Sequence, residues 1–178
     1  MKKDIIICDL DGTLCDIDHR LHFVQATEHG FLPFVTSDGT ITYPRKDWDA
    51  FFAGVPDDKV NEPVLRVLQE MTQGNCGCTR GSRREIIFCS GRPERCRADT
   101  VEWLYRADEY MFDPELDEYK LYMRQDGDFR RDDIVKQEIL DKYIDKERVL
   151  FVLDDRDQVV HMWRRNGLTC FQVAEGDF

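Results

Sequence analysis

Asp9 and Asp11 stand one residue apart at the end of the apolar run in "IIICDLDGTLCD", and Gly12-Thr13 follows at once. Carboxylates at the tip of a buried strand are expensive to desolvate unless something compensates them. Three further groups bear on what that is. Ser90-Gly91-Arg92 follows the apolar "EIIFC", Asp154-Asp155-Arg156-Asp157 follows "VLFVL", and Lys136 falls in the first turn of the helix-like stretch before it. Several carboxylates in a small space repel one another and resist burial. A divalent cation relieves both, and oxygen donors with a phosphate co-ligand fit Mg2+.

The chemistry such a set permits is phosphoryl transfer. Asp9 is the candidate nucleophile, acting through an aspartyl-phosphate. Asp11 lies on the same side because the strand period is two. It can protonate the leaving alkoxide and then deprotonate the attacking water, provided its pKa is raised. Ser90, the backbone N–H groups beside it and Lys136 can hold the phosphoryl oxygens, with Thr13 and Gly91 at the same rim. The cation is expected at Asp9, the Asp11 backbone carbonyl and Asp154, with Asp155 ligating or bracing. Each piece also has a plainer reading. "DxDGT" can be a turn, Lys136 a solvated helical lysine, and "DD" a helix cap. All four in this order favour a site.

These groups need elements that bring them together. Short apolar runs predict strands over Lys3–Cys8, Glu85–Cys89, Tyr119–Met123, Val149–Leu153 and Leu168–Val173. Helical spacing falls between them: Val60–Thr72, Pro93–Arg106, Asp132 or Asp133 (as cap) to about Ile144, and Gln158–Asn166 closed by Gly167. This alternation predicts an α/β fold, a Rossmann-like parallel sheet with helices on both faces. Ligands in such sheets bind beyond the carboxyl ends of the strands, near the topological switch point. The chain is read as one domain over 1–178. The segment 15–56 has no steady period and several turn signals, so it is read as a small cap-like insertion. Its aromatics, including Phe31, Phe34, Trp48, Phe51 and Phe52, must bury against something.

Composition narrows the class. No apolar run approaches the roughly 18 residues of a membrane span, and the apolar run of "MKKDIIIC" is too short for a signal peptide. The expectation is a soluble, cytoplasmic protein with no membrane partner. Seven cysteines fit reduced thiols, with Cys8, Cys89 and Cys170 in strand-like runs as small core residues. Cys76 and Cys78 sit in a Gly-rich loop without further metal ligands at suitable spacing, and read as a plain loop. A net charge of −11 argues against a surface built to wrap long nucleic acid. Residues 79–106 nevertheless hold seven arginines against four acids. That is either an ordinary solvated face or a positive patch beside a phosphate site.

The motifs resemble the haloacid dehalogenase (HAD) superfamily of phosphotransferases. "DLDGTL" at 9–14, Ser90, Lys136 and "LDDRD" at 153–157 look like its four motifs. The resemblance implies a Mg2+-dependent aspartyl-phosphate mechanism. "SGRPE", "MRQDGDFRRDDIVKQEIL" and "DDRDQVVHMWRRNGLTCFQVAEGDF" are further similar to the phosphatase domain of the bacteriophage polynucleotide kinase-phosphatase family. Members of that family remove 3′-phosphates from nucleic acid ends. By this resemblance Arg92, Arg124, Arg130 and Arg156 lie around the phosphate or nucleotide. The sequence departs from the family in two respects: it has no "GxxxxGK[ST]" phosphate loop, so no kinase domain, and segment 15–56 is longer than expected after the first motif. Asp16, His19, Arg20, His22 and Trp48 are candidates to touch substrate there, although Trp48 taken alone reads as core.

The leading expectation is therefore a phosphomonoesterase on polynucleotide 3′-phosphates. A nucleotidase acting on free nucleoside monophosphates is the alternative, favoured by the net acidity. A catalytically silent nucleotide-binding module is the reading from another class, and an intact Asp9, Asp11, Lys136 and Asp154 set argues against it.

Overall fold

The computed structural model describes residues 3–24, 34–35, 37–39, 41–42, 46–72, 84–109, 112 and 119–176. Cys76, Cys78 and Phe31 lie outside this set, as do the side chains of 34–35 and 41–42. In chain order the strands are β1 (Ile5–Cys8), β2 (Cys15–Asp16), β3 (Phe34–Val35), β4 (Ile41–Thr42), β5 (Lys59–Val60), β6 (Glu85–Pro93), β7 (Tyr119–Arg124), β8 (Val149–Arg156) and β9 (Cys170–Gly176). The helices are α1 (Asp18–Leu21), α2 (Trp48–Ala53), α3 (Glu62–Thr72), α4 (Arg97–Ala107), α5 (Asp132–Tyr143) and α6 (Asp157–Arg165).

Five strands form one parallel sheet in the order β7-β6-β1-β8-β9. The chain starts at the centre, builds outward through β6 and β7, then returns to lay β8 and β9 on the other side of β1. The order therefore reverses at β1, and the crevice of a doubly wound sheet opens there, at the strand's carboxyl end. Asp9 is the next residue, and its N–H still bonds the Leu153 carbonyl at 3.0 Å.

β1 is buried on both faces, which explains its unbroken apolar run. Ile6 and Cys8 pack with Leu65 and Leu68 of α3 and Trp103 and Leu104 of α4. Ile5 and Ile7 pack on the other face with Val135 and Ile139 of α5 and Val160 and Trp163 of α6. Two half-cores thus fix the central strand, and with it Asp9.

The predicted elements are present with shifted ends. β6 and β8 run further than their apolar cores, through Ser90-Gly91-Arg92 and Asp154-Asp155-Arg156. Their pairing shifts register between Ser90 and Pro93 and between Asp154 and Arg156. Such irregularities at strand ends re-aim side chains, and here they fall on the polar residues of the rim. The helix expected from Pro93 begins as a 3-10 turn over Glu94–Cys96 and becomes α4 only at Arg97. β9 starts at Cys170 rather than Leu168.

Within 15–56, β2 pairs antiparallel with β5, and β3 with β4. Of the described aromatics there, Phe51 is buried, Phe52 is half-buried, and Trp48 is 39% exposed, so Trp48 is not core. The described cysteines, Cys8, Cys15, Cys89, Cys96 and Cys170, are buried free thiols. No helix among the described residues is long and apolar enough to cross a membrane.

Candidate active site

Beyond β1 the backbone turns tightly: the Thr13 and Cys15 N–H groups both bond the Leu10 carbonyl, and Gly12 sits at φ +81°. A Cβ at Gly12 would run into the Asp155 carboxylate, so that backbone conformation and that space both demand glycine. The turn leaves Asp9 and Asp11 lining one cavity of about 330 Å³ with Asp155, Gly91, Arg124 and Arg156. Gly91 is needed bare as well, because a Cβ there would meet the Asp132 carboxylate.

The first charge cluster is acid-rich. Carboxylate oxygens of Asp9, Asp154 and Asp155 lie within 4.8 Å of one another, and all three residues are buried. Lys136, carried in by α5, is 1% exposed, and its Nζ lies 2.8 Å from Asp9 Oδ1 and 3.0 Å from Asp154 Oδ2. The Trp163 indole N–H donates to Asp154 Oδ2 at 3.0 Å, and the Arg156 backbone N–H to Asp154 Oδ1 at 3.2 Å. The Thr13 hydroxyl donates to Asp155 at 3.2 Å. Burial lifts the pKa of Asp155 to about 6, with Asp154 adding to the rise. Burial also raises Asp9, against the pull of Lys136. Three carboxylates against one ammonium leave a deficit of positive charge in a dry place. The donor set therefore fits a hard divalent cation.

The second cluster is balanced. Asp11 does not point its carboxylate at the first cluster's oxygens. It accepts from Arg20 at 2.6 Å and from Arg92 Nε at 2.9 Å. The same two guanidiniums grip Asp58, Arg20 Nε at 2.6 Å and Arg92 at 2.7 Å. Both arginines are fully buried, and Arg20 also lies over the Phe51 ring at 4.2 Å. Burial alone would raise the Asp11 pKa, but Arg92 and Arg20 outweigh it and hold it at about 2. The raised pKa expected for an acid at Asp11 is thus not the resting state. The guanidiniums hold the carboxylate ionised.

Several predicted substrate contacts have other partners. Arg92 is turned inward to Asp11 and Asp58, away from the cavity. Ser90 is fully buried, and its hydroxyl accepts the Arg92 N–H at 3.2 Å. Thr13 is fully buried against Asp155. Arg124 reaches the cavity wall, but it donates to the carbonyls of Gly91, Asp128 and Arg130 and to Asp132, and so organises the turn after β7. Asp132, expected as a possible helix cap, makes no cap and instead joins Arg124 to Arg156, at 2.7 Å from the latter. Arg130 is an exposed cavity residue paired with Asp128 and Glu138. Of the candidates in 15–56, Trp48 lines the cavity and Arg20 lies beneath it. His19 contacts the Gly54 carbonyl at 3.2 Å, His22 lies against the Phe23 ring, and Asp16 accepts the Asp18 N–H at 3.0 Å.

The family model of the polynucleotide kinase PNKP phosphatase domain matches residues 34–178. The chain belongs to that family. A protein of Autographa californica nuclear polyhedrosis virus, described as a bifunctional polynucleotide kinase/RNA ligase, is 32% identical over 129 residues. That match covers 71% of this chain and 17% of the relative. A solved structure of the Pnkp1/Rnl/Hen1 RNA repair complex superposes with a TM-score of 0.66 at 31% identity, over 98% of this chain and 43% of that one. The chain thus spans less than half the length of these relatives. The CbbY structure from Rhodobacter sphaeroides, solved in complex with phosphate, matches 98% of this chain and 87% of its own with a TM-score of 0.56 at 14% identity, which shows a shared fold.

Asp58, Trp163 and the inward turn of Arg92 escaped the sequence reading. Asp58 lies in "GVPDDK", a turn signal like many others, and nothing local marks its burial. Trp163 had a signal of sorts, since a buried indole N–H requires an acceptor.

Proposed function

We propose that this PNKP-family phosphatase removes terminal 3′-phosphates from polynucleotides with the help of Mg2+. The observation that carries the catalytic part is Lys136, whose buried ammonium bridges Asp154 and Asp9, the last of which lines the cavity. In this reading Asp9 attacks the phosphorus, the bond from phosphorus to the 3′-oxygen breaks, and an aspartyl-phosphate forms. Asp11 supplies the proton to the departing oxygen. It must first pick one up, or share it with a water, once substrate disturbs its arginine partners. Asp11 then takes a proton from water, whose oxygen attacks the phosphorus to release inorganic phosphate and restore Asp9. Lys136 holds a phosphoryl oxygen in both steps. Asp9, Asp154 and Asp155, with the Asp11 carbonyl, are the residues to hold Mg2+, and the ion supplies electrostatic stabilisation of the transferring group.

The polynucleotide part is supported by the family and by the cavity's five arginines, Arg95, Arg124, Arg130, Arg131 and Arg156. The test is phosphate release from 3′-phosphorylated DNA and RNA oligonucleotides beside 3′- and 5′-mononucleotides, each with Mg2+ and with EDTA. Oligonucleotide 3′-phosphates should be preferred, and EDTA should abolish turnover. Exclusive turnover of mononucleotides would replace this reading with a nucleotidase, and full activity in EDTA would remove the metal.

A further inference from the structure

Four aromatic rings line the cavity. Phe51 is buried against the Arg20 guanidinium, and the other three have nothing in the catalytic scheme to explain them. Trp48 and Phe52 come from α2, and Phe129 from the turn between β7 and α5. Phe129 is 95% exposed. Its turn is nonetheless tied down, by Arg124 on the Asp128 and Arg130 carbonyls and by the Arg130 N–H on Asp128 Oδ1 at 3.0 Å. The backbone is held while the ring is left in water. A lone exposed phenylalanine needs no explanation, but three rings lining one cavity form an apolar patch of the kind that marks binding. Trp48 is already stacked on Phe52, with centroids 5.8 Å apart and planes 24° apart, and presents a flat platform.

The two aromatic segments are linked through Arg95. Its backbone N–H bonds Asp126 in the Phe129 turn at 3.0 Å, and its guanidinium pairs with Asp49 of α2 at 2.9 Å. The guanidinium also lies 5.7 Å from the Phe52 ring centroid. Arg95 and Arg130 are about half exposed and sit in surface ion pairs. Such pairs contribute little, so these arginines can exchange a carboxylate for a phosphate at small cost. Rings beside exchangeable cations suit a nucleotide chain: bases stack and the backbone finds charge. The cavity, at about 330 Å³, is at the small end for a ligand site and leaves room for little more than one residue.

We propose that Trp48, backed by Phe52, and Phe129 form a stacking site for the terminal base of the polynucleotide whose phosphate is processed at Asp9. The proposal rests on the polynucleotide reading above and adds what selects the end: a base, regardless of its identity, because stacking uses the π-face and not the edge.

The test compares a 3′-phosphorylated oligonucleotide ending in a normal nucleotide with one ending in an abasic residue, using the full chain and its Phe129→Ala, Phe129→Trp and Trp48→Ala variants. The wild type should favour the base-bearing end roughly tenfold in kcat/KM, the size of one stacking contact. Phe129→Ala and Trp48→Ala should each raise KM on that substrate several-fold and change turnover of the abasic end little, so that discrimination collapses. Phe129→Trp should restore it. A 2-aminopurine at the terminal position should be quenched on binding to the wild type and less so in Phe129→Ala. Equal turnover of the two ends, with no change in either alanine variant, would overturn the stacking site and leave the phosphatase reading standing. Failure to turn over any oligonucleotide 3′-phosphate, with mononucleotides hydrolysed, would remove the polynucleotide reading and the stacking site with it.

Discussion

Two buried acidic clusters lie side by side under the same cavity, and they are built on opposite terms. Asp9, Asp154 and Asp155 face a single ammonium, Lys136. Asp11 and Asp58 face two guanidiniums, Arg20 and Arg92. Both places bring three ligand atoms to metal-like spacing, the second as Asp11, Asp58 and the Cys15 sulfur. Only the first is short of positive charge. In the second, every carboxylate is satisfied by planar, multiply donating guanidiniums, the arrangement in which buried ion pairs hold. Spacing alone would suggest two metal sites. Charge balance separates a site that invites a cation from one that already contains its own.

The largest effect is expected at Asp9. Asp9→Asn should lower phosphate release by at least about 10⁴-fold with the melting curve little changed, because the nucleophile is lost while Lys136 keeps Asp154. Activity near wild type in that variant would remove Asp9 from the role. Asp58→Ala should do the reverse. It strands two buried guanidiniums on one remaining carboxylate and should cost about 3–5 kcal/mol in urea unfolding. A loss below about 1 kcal/mol would mean that the balanced cluster is not structural.

One carboxylate from each cluster, Asp155 and Asp11, should answer pH with opposite signs. Asp155 carries a folded pKa of about 6 against an ordinary 3.8. Its contribution is complete below about pH 4 and is lost as pH rises through 6, about 3 kcal/mol in the absence of metal. Asp11 carries a folded pKa of about 2 against the same ordinary value. Its contribution is present above about pH 4 and is lost as pH falls towards 2, about 2 kcal/mol. Asp155→Asn should make the first limb shallower, leaving the part that the raised Asp9 contributes, and spare the second in metal-free unfolding, and the same slope in both proteins would contradict the assignment.

Mg2+ sharpens the same contrast. At pH 7 and about 100 times its dissociation constant it should add about 2.7 kcal/mol to unfolding stability, and at pH 4, where protons compete, far less. Asp58→Ala should retain the Mg2+ increment, and Asp155→Asn should lose most of it. The smallest effect belongs to the rim. Arg130→Ala removes only exposed pairs with Asp128 and Glu138 and should change stability by less than about 0.5 kcal/mol.

The sheet was readable because its central strands are buried on both faces and so are written as unbroken apolar runs, "IIIC", "EIIFC" and "VLFVL". Their ends were not. β6 and β8 continue through Ser90-Gly91-Arg92 and Asp154-Asp155-Arg156 because neighbouring strands still pair with them, and polar residues there look like loop. The acid-rich cluster was readable for the same reason that the sheet was: groups at the ends of parallel strands must converge. The balanced cluster was not, because Arg20 comes from a segment without a period and Asp58 from the turn just after it, and their pairing with each other and with Arg92 spans more than thirty residues of chain.

The order of the motifs, taken with strand periodicity, determined that Asp9, Lys136, Asp154 and Asp155 would meet at one rim, since a parallel sheet leaves them no other place. Which way each arginine turns was decided only by the tertiary structure. A guanidinium goes to whichever carboxylates are nearest and driest, and that is a property of packed neighbours rather than of local sequence.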